Sequence, residues 1–551
     1  MKSSKKVLAI LLAAMMATSM AACSSDEGSS SSESSASGSS SASSDASTAS
    51  GESSSTSDPG EFTLPIAEGE TLTMFMQQDG NAVTVQNDYN DLAFYQEMEK
   101  RTGVHIEFQM SSAADATTNF NLMIASNSLT DIIPGAANYA DGFEAGIDDG
   151  YFLDLTPYLD EYMPNYVAFR TSNPEVEKDS ITDSGRIAAV YQVFTTSQGP
   201  WLGPQVRQDW LDECGLDTPV TYDDWEEMLT AFKDQIGAYA PLSVTMNGYD
   251  NVTGWLSVGY NVIANWQLDE TGKVTYGPYT DGWRQYITKM NDWFEKGLID
   301  PDFMTQDAFM VDTTSVVAGR TGAWQSSYAM AQTYEMSSED PDMNIVAVSP
   351  PRQNADDTLH LRYRDTWLGN ATAISAQSDK QEIAMRWLDY LFTDDGYLLS
   401  NYGIEGDTFT FDENGDPVFT EKVTADPNLS FAQAQVAYTL PPASLACRYE
   451  WTRELYGVPE KDIESFEIWA NDTILQDWTM PTLSLTKDES VERSSIKTDI
   501  ETFAKEQTTQ MITGVLDVET NWDSYISTIQ SMGIEDAIAI TQAAYDRYLQ
   551  R

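Results

Sequence analysis

Residues 24 to 60 are mostly Ser, with Ala, Gly, Thr and a few acids. Such a tract has too little apolar surface to offset the entropy of ordering it. It predicts a disordered tether and confines folding to the chain beyond it. As a flexible coil it has a typical span of ~30–35 Å, and ~120 Å when fully extended. Glycosylation of its hydroxyls is a second use for the same composition. What remains is about 490 residues, more than one hydrophobic core organises, so the chain should divide into lobes.

The tract is preceded by Lys2, Lys5 and Lys6, an apolar run from Val7 to Met16, and then Met20-Ala21-Ala22-Cys23. A basic start, a short apolar stretch and small residues at a cleavage point predict a secretory signal over residues 1–22. The apolar stretch is too short to stay in a bilayer as a spanning helix. The ending resembles the lipobox of bacterial lipoproteins, although Met20 stands where Leu is more usual. That resemblance implies a diacylglyceryl group on Cys23, removal of the peptide before it, and a location on the outer face of the cell membrane. Residues 23–60 would then be the lipidated Cys and its tether. An ordinary cleaved signal followed by a stray Cys is the alternative.

The formal charge is −56, and loss of a signal holding three Lys and no acid deepens it by three. This charge repels nucleic acid and anionic head groups, and it favours solubility outside the cell and repulsion of polyanionic ligands. Beyond Cys23 there remain Cys214 and Cys447, with no CxxC spacing. They form one disulfide or stay as two thiols; neither arrangement makes a Cys-rich metal site.

Few residues offer catalytic chemistry. His105 sits in the alternating run Val104-His105-Ile106-Glu107-Phe108, on the solvated face of an expected strand, and His360 sits in another strand-like run. No HExxH, Walker loop, GxGxxG or GxSxG occurs. Two carboxylates suffice for a glycosidase, and 86 acids supply pairs whose spacing a sequence does not reveal. Asp412-Glu413-Asn414-Gly415-Asp416 has an acidic loop's composition, but Gly is fourth rather than sixth and Val423 occupies the twelfth place, so it reads as a hairpin turn. No cofactor or metal is expected.

Strand-like and helix-like stretches alternate. Thr71 to Met76 is a strand, a helix follows from an Asp91 cap to a stop at Gly103, and the His105 strand comes next. A helix over Asn119–Asn127 leads to the apolar strand Leu129–Ile133. This order predicts an α/β fold with mostly parallel sheet. Thr221 begins a second such region as an N-cap, with Trp225, Met228, Leu229 and Phe232 on one helical face. Trp283, Tyr286, Ile287, Met290 and Phe294 form a similar stripe.

Several segments, in order, resemble the large extracellular solute-binding lipoproteins of ABC importers. Arg207-Gln208-Asp209-Trp210-Leu211 followed by Gly215-Leu216, Pro219, Thr221 and Trp225 is similar to their "RkDWLdklGl..P.T.deW" segment. Ser126 to Ile133 resembles "SGdlPDii", with Thr130 in place of Pro, and Asp183-Ser184-Gly185-Arg186-Ile187 resembles the strand "D.dGkiY". Leu391 to Gly406 and the stretch from Ile512 to Tyr548 are similar to later segments. The resemblance runs from about residue 70 onward. It implies a two-lobed, class II periplasmic-binding-protein-like fold with the ligand between lobes and hinge crossings near Gly199–Gln205, Trp367–Asn370 and Pro441. Lobe 1 would hold 61–200 and 370–441, and lobe 2 would hold 205–368 and 442–551. It further implies a monomer that captures a solute, commonly an oligosaccharide, and delivers it to a membrane permease. ATP hydrolysis belongs to the importer, which agrees with the missing Walker motif.

A sugar offers an apolar face to aromatic plates and a hydroxyl rim to carboxylates, amides and Arg. Of the 14 Trp, Trp201, Trp255, Trp266, Trp324, Trp367, Trp451 and Trp478 lie in loops or strand ends, where a plate can reach a cleft. Trp324, Trp367 and Trp255 are the sharpest candidates. Asp79 and Asn81 follow the first strand, Tyr139 follows the Ile133 strand, Arg364 precedes Trp367, and Glu405 lies in Gly403-Ile404-Glu405-Gly406. Strand C-terminal edges are where open α/β sheets bind ligands. A secreted glycoside-active enzyme and a surface adhesion or sensory protein remain open as other readings at this level, and the solute is not legible.

Overall fold

Alternating apolar residues over Glu70–Gln77 bury Leu72, Met74 and Met76 and form β1. The computed structural model describes residues 63–245, 254–306, 311–361, 366–471 and 474–551; Cys23, the Ser-rich tract and Arg364 lie outside them. Helix α1 (Ala93–Thr102) ends at Gly103, whose φ of 75° is a left-handed cap. A Cβ there would lie 2.9 Å from the Ala67 carbonyl, so Gly is required. Strand β2 (Val104–Ser111), α2 (Ala116–Ala125), β3 (Ile132–Pro134), α3 (Gly142–Asp148) and β4 (Val190–Gln198) follow. The segment from Asp183 to Ile187, which resembles a strand in the family pattern, is a turn with Gly185 at φ 79°.

The chain then passes to a second sheet over residues 199–201 and enters β5 (Leu202–Arg207). Helices α4 (Gln208–Cys214) and α5 (Tyr222–Ala231), β6 (Ala240–Leu242), the β7 (Trp266–Leu268) and β8 (Val274–Tyr276) hairpin, α6 (Asp281–Glu295), β9 (Thr321–Ser327) and β10 (Ile345–Ala347) build the second lobe. The Thr221 capping box is formed with Asp224. Both predicted helical stripes face one core: Trp225, Met228, Leu229, Phe232, Trp283, Tyr286, Ile287 and Met290 are buried together, with Phe294 packed against them.

The return strand β11 (Thr366–Ile374) enters the first sheet. Helices α7 (Gln381–Tyr390) and α8 (Asp394–Tyr402), the hairpin β12 (Phe409–Phe411) and β13 (Pro417–Phe419), and β14 (Arg448–Tyr449) complete that lobe. The Asp412 carboxylate accepts from the Asn414 and Asp416 amides and so closes the hairpin turn. The lobe change expected near Pro441 falls elsewhere. Leu440, Leu445, Cys447 and Trp451 are buried in the first core, and β14 pairs with β4. Apolar contact with that core keeps the chain there until α9 (Glu460–Asn471), which packs on β10 of the second lobe. Helices α10 (Lys487–Ile512), α11 (Val518–Ser531) and α12 (Ile534–Tyr548) finish the second core.

The expected mostly parallel arrangement is present, with one reversed strand in each sheet. The first has the order β14-β4-β11-β3-β1-β2 and the second β10-β5-β9-β6. In the first, only β11 opposes its neighbours; in the second, only β5 does. Each of these two strands has just come from the other lobe. It enters at the edge toward which the other strands run, so it must run against them. Cys214 and Cys447 are unpaired thiols.

Two buried groups of the first lobe give stability tests. Arg453 is fully buried and donates to the carbonyls of Ser400, Asn401 and Leu440 at 2.8–3.0 Å. Arg453→Met would leave the Asn401 and Leu440 carbonyls without this donor, while Ser400 O keeps the Leu440 amide, and should cost about 3 kcal/mol in urea unfolding. Asp389 is buried and accepts from Tyr166 N and Asn165 Nδ2. Desolvation pushes its carboxyl up to about 6, against the lowering effect of those two donors. The folded state therefore holds this proton more tightly than the unfolded chain. Its stabilising contribution is full below pH ~4 and is lost as pH rises through about 6. Between pH 4.5 and 7.5, the stability of wild type relative to Asp389→Asn should fall by on the order of 2 kcal/mol, read from paired urea curves.

Candidate functional site

The two sheets meet where β4 leaves the first lobe and β11 enters it, with Gln198 paired to Thr366. Beside this junction lies a cavity of about 580 Å³, within the range of small-ligand sites. The first lobe contributes Ala137, Phe143 and Tyr191; β11 contributes Trp367, Leu368 and Gly369. The second lobe contributes Asn265 and Trp266, the connecting segment Thr479–Leu485, and Arg493 and Lys497 of α10. The site thus has the composition a saccharide needs: flat aromatic surface, an amide, hydroxyls and cations.

Trp266 is held by β7 against Tyr276, with ring centroids 5.3 Å apart. Its indole nitrogen is buried and has no acceptor among the described residues. Arg493 lies over the Trp266 ring at 4.8 Å and donates from Nε to Thr541 Oγ1 at 2.8 Å. Burial pulls this guanidinium below its ordinary range, opposed by the Glu501 carboxylate two turns along the helix.

The sequence-based candidates fall in different places. Trp367 lines the cavity, half-buried. Tyr139 is near it, two residues beyond Ala137; its hydroxyl donates to Asp149 at 2.7 Å and its ring meets Tyr151 and Phe152 edge-on. The neighbouring carboxylate and burial hold that phenol well above its ordinary range. Trp324 does not reach the cavity. It is 0% exposed, its Nε1 donates to Gln205 at 3.1 Å, and its ring meets Tyr334 edge-on. Strand β9 has partners on both sides and a helix-covered face, so a residue at its middle seals the core rather than the cleft. Trp255 is also buried, against Trp225, and lines a separate pocket of about 10 Å³, room for about one water. Ser243 Oγ and both amide atoms of Gln325 in that pocket have no partner among the described residues.

Asp79 lies at the end of β1, but its carboxylate accepts the Asn81 and Ala82 amides at 2.9 and 2.8 Å and shapes the turn. Asn81 is an exposed turn residue. Glu405 is exposed in a tight turn closed by Gly406 N donating to Phe409 O. Neither Asp79, Asn81 nor Glu405 lines the cavity. Arg364 lies outside the described residues. Sequence reasoning placed Trp266 among the exposed-plate Trp residues without singling it out, and missed Tyr191, Arg493 and Lys497. A charged i, i+4 pair on a helix reads as a solvated face; only the packing of α10 against the other lobe turns it inward.

Among the described residues no helix is long and apolar enough to cross a membrane. The family described as bacterial extracellular solute-binding protein matches residues 83–397. The chain is 22% identical over 531 residues to the fructooligosaccharide ABC transporter substrate-binding protein FusA of Streptococcus pneumoniae, covering 88% of this chain and 92% of FusA. It is 24% identical over 369 residues to lipoprotein LipO of Bacillus subtilis, covering 62% of this chain and 69% of LipO. Its fold is similar to that of the alginate-binding protein AlgQ2, with a TM-score of 0.69, 22% identity, and coverage of 87% of this chain and 98% of AlgQ2. With the two-lobed fold, the cavity at its junction and a family match over more than half its length, this chain belongs to the bacterial extracellular solute-binding proteins, which bind their solutes and do not transform them.

Proposed function

We propose that this protein captures an oligosaccharide in the cavity between its lobes and presents it to the permease of an ABC importer, held at the membrane by a diacylglyceryl group on Cys23. The observation that carries this reading is the cavity itself: about 580 Å³, with aromatic and polar residues from both lobes around the strand crossings. A ligand there touches both lobes only when they are closed, so binding shifts the population toward the closed form. Trp367 serves as a plate at the hinge strand, and Tyr139 shapes the first-lobe wall. FusA, a fructooligosaccharide-binding relative, supports the saccharide class. The sequence around Cys23 and the lipoprotein relative LipO support the anchor. The Ser-rich tract gives the body ~30–35 Å of typical reach.

Three measurements test this. A thermal-shift screen of oligosaccharides should find a ligand that at 100 times its dissociation constant adds ~2.7 kcal/mol of stability, with compaction in small-angle scattering. A blank screen with no compaction sinks the reading. Trp367→Ala should weaken that ligand about 30-fold, whereas Trp324→Phe should leave affinity within about 2-fold and lower stability by about 1–2 kcal/mol. Cys23→Ser should abolish incorporation of a clickable fatty acid and release the protein to the medium; labelling that survives the substitution refutes the anchor.

A further inference from the structure

Arg493 stands apart from the other arginines by its place on the cavity wall. Acids outnumber Lys and Arg by 86 to 30, so a cation readily finds a carboxylate. Arg101, Arg186, Arg207, Arg284, Arg386, Arg448, Arg547 and Arg551 all do, while Arg170 and Arg453 spend their donors on carbonyl and hydroxyl oxygens and Arg320 stacks on Tyr239 at the surface. Arg493, half-buried on the cavity wall, has no carboxylate partner among the described residues. Its ring-stacked guanidinium is fixed by Trp266 on one face and Thr541 at Nε, which leaves both Nη nitrogens without an acceptor among the described residues. One helical turn on, Lys497 lines the same cavity, with a 3.5 Å approach to Glu501. The indole N–H of Trp266, in the ring under that guanidinium, is closed off from solvent and has no acceptor among the described residues. Asp179 is the single carboxylate among the described lining residues, and it accepts from Tyr548.

Resting on the oligosaccharide reading above, we propose that the cavity selects an acidic saccharide, one whose sugar carries a carboxylate that sits on the Arg493 fork, with Lys497 beside it. The Arg493 and Lys497 donors on one cavity wall match an acceptor-only group. A planar guanidinium pre-ordered by stacking meets a carboxylate in two parallel hydrogen bonds with little further loss of freedom. A neutral hydroxyl satisfies one donor and leaves the charge unpaired. The net charge of the chain does not oppose this, because salt screens it beyond about 8–10 Å. It does limit the ligand to a short oligosaccharide with few charges, since a dense polyanion would extend into the acidic surface.

The test uses the full-length processed chain on an array of uronic-acid, sialylated, sulfated and neutral oligosaccharides, followed by titration of the best hit and its carboxyl-reduced counterpart. The expected result is binding concentrated on carboxylated glycans and a 10- to 100-fold preference for the acid over its reduced form. Arg493→Gln should bring the affinities for the acid and its reduced form to within about 2-fold of each other; Arg493→Lys should restore part of the preference. Because Arg493 packs on Trp266, the unfolding midpoint of each variant is measured first, and Lys497→Gln, which loses less packing, provides an independent reduction of a few fold. Equal affinity for acid and reduced glycan, hits confined to neutral or sulfated glycans, or an unchanged preference in Arg493→Gln overturns the acidic-saccharide assignment while the oligosaccharide reading stands. A blank array overturns both.

Discussion

The pairing of β4 with β11 at the lobe junction is the contact on which the rest of the molecule depends. Gln198 is the last residue of the outgoing strand and Thr366 the first of the returning one, and they lie side by side. This fixes the two crossings at one place, so the lobes share one axis. It also forces the single reversed strand in each sheet. The C-terminal edges of the remaining strands then face the junction from both sides, and the cavity lies there.

Electrostatics follow from the same geometry. With so large an acid surplus, most cations are drawn into ion pairs, and several of those pairs join the lobes. Arg547 and Arg551 at the end of the chain both reach Asp183 in the first lobe, and Lys487 reaches Asp149. Asp183 and Arg551 are nearly buried, where removal of one partner would leave the other as an uncompensated charge. Surface pairs such as Lys100–Glu97 contribute little by comparison. Arg493 on the cavity wall lies outside this pattern, stacked on Trp266 and bonded to Thr541.

Much of the fold is legible in local sequence because local forces set it. The Gly103 cap, the Thr221 capping box, the Trp225 and Trp283 stripes and the Asp412 hairpin each depend on residues a few places apart. The binding site is less legible. Trp324 looks like a plate because Gly319, Gly322 and a short strand surround it, yet β5 and β6 flank that strand and bury it. Asp79 sits at a strand end as a ligand contact would, but the backbone amides two and three residues on reach its carboxylate first. Arg493 looks like one more surface charge until α10 is docked.

The sequence by itself determined the class: an acidic body with little catalytic equipment, and the alternation of strands and helices that builds two lobes. These are properties of composition and short-range order, and they survive without knowledge of contacts. The tertiary structure alone decided which aromatics line the cavity and which are core, where the chain changes lobes near the C-terminal third, and that Arg493, Lys497, Trp266 and Trp367 line one cavity. Those facts depend on contacts between residues hundreds of positions apart. The hydrophobic burial that brings such residues together depends on area and shape, and no local motif records it.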